Sequence, residues 1–389
     1  MPVIKPSFIS LDTSHLTHWI REALSTKESE RNRAKKFSDW LMHSGTLILI
    51  SMHHIEELCV HNDENTVLWR LRFLHSLPFV AWISDGTVTP GPSSITSIMR
   101  AEALAAFSEP KASIGRVRDL ASRTLVRVGT GEELLGPSPD DWLLLREEFI
   151  RRSEHSRNLV AVAHSNVVDL SSKPLSELLN GRVRSQEDLE RQLKVIEGSF
   201  AFDIAKHGDK RIRNPGAVAR DFVGKIIETR QRLPDNAADL VMQSLAAMGV
   251  EKSDIATDMT VGQALDLGLF LQQMKIVTAT ADVSFTDLKR LVSQERVPSW
   301  VISSSLRQYA PPLPERKGSD LIDIHLACLS AYADVTLVDK RTLEAFRRAQ
   351  RANPVLSSVC KAIKRAARYS DIPDLVGTLS DRESISDTC

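Results

Sequence analysis

Four short runs do most to limit how this chain can fold: "SFISLD" (7–12), "GTLILIS" (45–51), "PFVAWIS" (78–84) and "DVTLVD" (334–339). Each is strand-sized, and "GTLILIS" is apolar enough to be buried on both faces. Helical patterns lie between the first three. Leu16, Ile20 and Leu24 recur on one face, "ESERNRAKKFSDWL" reads as a charged, exposed helix, and "MHHIEELCVH" and "TVLWRLRFLHSL" supply two more. Strands alternating with helices predict a parallel α/β sheet.

At 389 residues the chain is long for a single core, so two or three domains are expected. Residues 1–91 carry the first α/β part. "TPGPSS" (89–94) is a turn-rich junction, and 92–297 then reads as an all-helical insertion. Within it, "PDNAADLVMQSLAAMG" has a Pro-Asp start, apolar Val241, Leu245 and Met248, and Gly249 as a stop. Thr260 with Gln263, and Ser185 with Asp188, resemble capping boxes. Residues 298–376 return to α/β character. There "SWVISSSL" is open between strand and helix, a helix is expected from about Ser319 to Tyr332, and helices follow the last strand through about Arg368. Residues 377–389 form a polar tail.

Formal net charge is zero, so any affinity for nucleic acid must come from local patches. No apolar run approaches the length of a membrane span, and "MPVIKPSFIS" lacks the basic and apolar regions of a secretory signal. Cys59, Cys328, Cys360 and Cys389 are scattered with no CxxC pair, which fits reduced thiols in a cytoplasmic protein and argues against zinc.

The acids carry the chemistry. Asp12 ends the first strand and Asp339 the last. Asp320 and Asp323 lie one helical turn apart, and Glu56 and Glu57 open the helix after the second strand. Open parallel sheets bind ligands beyond the carboxyl ends of their strands, so these carboxylates are expected to meet at one rim. Clustered like charges need a compensating cation, and carboxylate oxygens suit Mg²⁺ or Mn²⁺. Such ions promote phosphodiester hydrolysis.

"FISLDTS", "LISMHHIEEL" and "DLIDIHLACLSAYADVTLVDKRTLEAF" together resemble the PIN-domain family of nucleases. The last stretch is the most specific: an acid, a helix with small residues, a strand ending in Asp, then a Phe-bearing helix. The resemblance covers roughly 140 to 170 residues in two pieces around the insertion. It implies a three-layer α/β/α domain and metal-dependent cleavage of RNA, with DNA as the second substrate, leaving a 5′-phosphate and a 3′-hydroxyl. Position by position it implies Asp12, Glu57, Asp323 and Asp339 as catalytic metal ligands, with Asp320 supplementing or replacing Asp323. By analogy, a toxin or defence role follows. The insertion is then expected to select substrate, gate the site, bind a regulatory protein or form an oligomer.

Each acid also has a plainer role. Asp12, Asp320, Asp323 and Asp339 suit helix caps or turns, and Glu56 and Glu57 suit a solvated helical turn. Asp334 reads as the start of the last strand. "HHIEE" is not a zinc motif, because its offsets are wrong, though His54 or His325 is expected near the site. Ser156 and His164 lack a nucleophile elbow and a placed acid. From Lys340 to Arg368 the chain is strongly basic. Lys340, Arg341 and Arg347, directly after Asp339, are expected to hold a phosphate backbone. "KHGDKRIRNPGAVAR" (206–220) is a second basic candidate. Two other functions fit the same residues: a nucleic-acid-binding or scaffold protein that does not cut, and a DNA nuclease or nucleotide phosphohydrolase.

Overall fold

The computed structural model describes residues 6–87, 91–163, 171–179, 186–228, 237–256, 258–310 and 319–377. They form two compact units. The first comprises 1–151, 291–311 and 322–389, and the second 152–290 and 312–321.

The first unit is built on a six-stranded sheet. Its strands are β1 (Ser7–Ser10), β2 (Thr46–Ile50), β3 (Val80–Ile83), β4 (Val126–Gly129), β5 (Val335–Leu337) and β6 (Ala362–Lys364). They lie in the order β4-β3-β2-β1-β5-β6. All neighbours pair parallel except β3 and β4. From β1 the chain therefore builds outward through β2 and β3 on one side, then returns to β1 and builds outward through β5 and β6 on the other. The direction reverses between β1 and β5. In open α/β sheets such a topological switch point, at the carboxyl edge of the strands, is where ligands bind.

Helices α1 (Thr13–Ala23), α2 (Glu28–Ser44), α3 (Met52–Cys59) and α4 (Glu64–His75) connect the first strands. Leu16, Trp19, Ile20, Phe37, Leu58 and Leu71 pack with Ile9, Ile48 and Ile50 in one buried core. Trp19 meets Phe37 and Phe73 edge to face at 5.3 and 4.8 Å, a geometry worth about 0.5–1.5 kcal/mol per pair beyond burial. Gly45, at φ +64°, ends α2 in the left-handed conformation and turns the chain straight into β2. Asp334 fastens the start of β5. Its carboxylate accepts from the Phe8 amide at 2.7 Å and pairs with Lys361 at 2.7 Å, just before β6.

The sheet unit extends well past residue 91. Helices α5 (Ile95–Ser108), α6 (Ile114–Leu125) and α7 (Gly131–Leu135) belong to it, and so does β4, inside the span expected to be wholly helical. β4 has no sequence signature because it follows α6 without any breaker and is a half-exposed edge strand with little apolar alternation. β6, three residues in a basic run expected to be helical, is fixed by its pairing with β5.

Helix α8 (Arg146–Ala163) leads toward the second unit, which continues with α9 (Leu175–Leu179), α10 (Gln186–His207), α11 (Pro215–Glu228), α12 (Ala237–Met248), α13 (Val261–Ala279) and α14 (Phe285–Leu291). Ser156 lies within α8. Phe200 and Phe222 meet edge to face where α10 and α11 pack. Thr260 and Gln263 make the expected reciprocal cap at the start of α13. Gly268 lets α13 approach Met248 of α12, since a Cβ there would lie 2.8 Å from the Met248 methyl. Ser185, His164, the Pro234-Asp235 start and the tail from 378 lie outside the described residues.

The chain returns with α15 (Pro298–Tyr309), the helical outcome for "SWVISSSL", and with α16 (Ser319–Ala327). The latter tightens into a 3-10 turn over Cys328–Ala331 instead of running to Tyr332. α17 (Lys340–Ala352) and α18 (Val355–Val359) follow β5.

Candidate metal and phosphate site at the sheet edge

β1 and β5 each end two residues before an aspartate, Asp12 and Asp339, which flank the switch point from adjacent parallel strands. Both acids cap the helix that follows. Asp12 Oδ1 accepts from the Ser14 amide at 2.7 Å, and Asp339 Oδ1 accepts from the Thr342 amide at 2.7 Å. Each thus uses one carboxylate oxygen. The other has no hydrogen-bond partner among the described residues and is available to a cation.

Glu57 comes from the second turn of α3, on the far side of β1. It is largely buried, and its pKa is raised, first by that burial and further by the negative charges of Asp12 and Glu56. His53 opposes this shift. Thr13 lies beside the carboxylate and lowers its pKa, but the hydroxyl falls short of a well-formed hydrogen bond. The fold therefore brings Glu57 and Asp12 into electrostatic contact. Glu56 turns elsewhere, its Oε2 lying 2.9 Å from His53 Nδ1.

Asp320 and Asp323 sit on α16. Both are half-buried, and each already interacts with a neighbour. Asp320 falls in the second unit and Asp323 in the first. Asp323 shares its helix with His325, whose ring lies 4.7 Å from that of His53, so α16 passes beside α3. Burial, the charge of His53 and that of Arg307 push His325 down to about 3.

His54 is structural. Its Nδ1 accepts from the Ser51 amide at 3.1 Å, so Nε2 carries the proton and donates to the Leu11 carbonyl at 2.9 Å. This neutral imidazole ties the start of α3 to the residue before Asp12. His53 is not among the residues expected from the sequence. The readable signal is its spacing, three residues before Glu56 and four before Glu57 on one helix.

Lys340 and Arg347 are exposed on α17, two turns apart on one face, with Arg351 one turn further. Arg348 pairs with Glu344 at 3.1 Å, and Arg341 is half-buried and already engaged. The other basic stretch is partly neutralised locally, Arg211 by Asp209 and Arg220 by Glu197.

Among the described residues no group of three or more His, Cys, Asp or Glu stands close enough to hold a metal ion as it is. The donors nevertheless suit a hard divalent cation. Two carboxylates interact, one with its pKa raised by burial, and among the described residues the buried Thr13 Oγ1 and His53 Nε2 have no hydrogen-bond partner. Comparison with protein-family models, curated proteins and solved structures finds no match.

Proposed function

We propose that the first unit is a metal-dependent nuclease with a PIN-like, three-layer arrangement, acting on RNA before DNA. One observation carries the reading. Asp12, Glu57 and Asp339 follow three adjacent parallel strands, Asp12 and Asp339 flank the switch point of the sheet, and Asp339 caps the basic helix α17. In this reading Asp12, Glu57, Asp339 and Asp323 hold Mg²⁺ or Mn²⁺. A bound divalent ion supplies the Lewis acidity that hydrolysis of a phosphodiester requires. Lys340 and Arg347 hold the phosphates of the strand, and Arg341 adds positive charge at the start of α17. Water adds to phosphorus and the P–O3′ bond breaks, leaving a 5′-phosphate and a 3′-hydroxyl.

The test is cleavage of labelled single- and double-stranded RNA and DNA with Mn²⁺, Mg²⁺ or EDTA, with Asp339→Asn alongside. Metal-dependent cutting that disappears in the variant is the expected result. A specific observation favours a second reading, a nucleic-acid-binding module that does not cut: Asp12 and Asp339 both serve as helix caps. Binding of RNA through α17 without cutting under any metal condition would favour it.

A further inference from the structure

We infer that the exposed face of α13 is a self-association seam, on which a second copy of this chain packs antiparallel about a two-fold axis at Gln272. The inference concerns the second unit and is independent of the nuclease reading.

α13 is apolar around its whole circumference. Val261, Ala264, Phe270, Leu271, Met274 and Val277 are buried within the fold. Leu265, Leu269 and Ile276 lie on the opposite side and are 48%, 46% and 43% exposed. A helix that is apolar all round is normally buried all round, yet no described residue covers this face. Exposed leucines scattered singly need no explanation, but these are not scattered. Leu265, Leu269, Gln272, Ile276 and Ala279 are all exposed and fall within a stripe about 80° wide. Their spacing alternates between four and three residues, which is that of a coiled-coil seam. The stripe runs about 21 Å along the helix.

The pattern is its own complement. A two-fold axis at Gln272 sets Leu269 of one copy against Ile276 of the other, and Leu265 against Ala279. The small residue thus meets a large one, whereas a parallel pair would set Ala279 against Ala279. Gln272 meets itself. Its amide both donates and accepts, so the pair is satisfied, and a single polar residue in an apolar seam fixes register. No ionisable residue stands on the seam, so two copies meet without like-charge repulsion. Lys275, at one margin, turns back to the Ala247 carbonyl at 2.9 Å. One helix per copy offers less than the roughly 800 Å² per partner of a standard interface, so the dimer is a weak one, with a Kd of about 1–100 μM.

The experiment is sedimentation velocity on the full chain, at concentrations spanning that range. The expected result is a monomer–dimer equilibrium. Leu269→Glu with Ile276→Glu sets like charges against each other across the axis and should weaken the dimer at least about tenfold, with an unchanged far-ultraviolet circular dichroism spectrum. Orientation is read by cross-linking, with Cys389→Ser in every chain. Gln272→Cys should give a disulfide-linked dimer on oxidation. Leu265→Cys should not, since an antiparallel pair holds the two copies of residue 265 about 21 Å apart along the seam. If the double glutamate variant fails to fold, the two cysteine variants carry the test. A chain that stays monomeric overturns the inference and leaves the seam to a different partner. A dimer indifferent to the glutamates, or one in which Leu265→Cys links as readily as Gln272→Cys, also overturns it.

Discussion

His54 Nε2 donates to the Leu11 carbonyl at 2.9 Å, one residue before Asp12. Its Nδ1 accepts from the Ser51 amide at 3.1 Å, which requires a neutral ring, and burial, the largest influence, depresses the His54 pKa to about 4. The depressed pKa sets a sign for pH dependence. Above the ordinary value of about 6.5 both folded and unfolded states hold His54 neutral, and its contribution is intact. As pH falls from about 6.5 toward 4 the unfolded chain takes the proton first, so stability is lost over that window, by up to about 3 kcal/mol. Urea unfolding at pH 5.0 and 7.5 should show wild type losing more on acidification than His54→Gln. Equal losses would remove His54 from the account.

Glu102 behaves in the opposite sense. This fully buried residue of α5 accepts from the Ser299 amide at 2.9 Å, from the Ser299 hydroxyl at 2.5 Å and from the Tyr332 hydroxyl at 2.5 Å. Burial raises its pKa to about 7, although the three donors pull it down. The protonated form is thus favoured on folding below pH 4.5, and that advantage fades as pH rises toward 7. Glu102→Gln should therefore gain stability relative to wild type between pH 5 and 8, by about 1–3 kcal/mol. Tyr332→Phe, which strips one donor from a buried carboxylate, should cost about 1–3 kcal/mol at pH 8. Chemical denaturation across that range checks both.

Asp12 and Asp339 allow capping and catalysis to be separated. Asparagine caps a helix about as well as aspartate, so Asp12→Asn and Asp339→Asn should change the melting temperature little. Alanine at either position should cost about 1 kcal/mol. If the acids hold a catalytic cation, the Asn variants should lose on the order of a hundredfold or more in cleavage rate while remaining folded. Cleavage that tracks stability across all four variants would reduce both acids to caps.

Lys340, Arg347 and Arg351 share one exposed face of α17, and the first two are about 10 Å apart along the axis. Replacing Arg347 and Arg351 by glutamate should weaken binding of single-stranded RNA with little dependence on sequence. The slope of log affinity against log salt should shrink by roughly 0.7 for each phosphate that is no longer neutralised. Fluorescence anisotropy in EDTA isolates this binding from cleavage. Unchanged slopes would mean that the strand runs elsewhere.

Much of the fold was legible because it is local. The apolar runs around Ile48, Ala81 and Thr336 declare strands, and the Thr260–Gln263 spacing declares a cap. β4 and β6 were not legible. Each is three or four residues long, and neither has an apolar pattern of its own, so each is a strand only because a neighbour offers its edge. The reach of the sheet unit to residue 151 was hidden for the same reason, since the helices α5 to α7 look alike in sequence whichever core they cover.

The sequence by itself determined that Asp12 and Asp339 stand between a strand and the helix after it, because apolar runs stop at them and helical patterns begin. Only the tertiary structure decided that those strands are neighbours astride the switch point, since strand order depends on long-range pairing that no local pattern records. The same holds within "HHIEE". Sequence supplies two histidines and two glutamates in close succession, and the turn of α3 against β1 gives each its own surroundings. His54 faces Leu11, Glu57 interacts with Asp12, and Glu56 holds His53. Helical geometry points adjacent residues in different directions, and packing determines what each one meets.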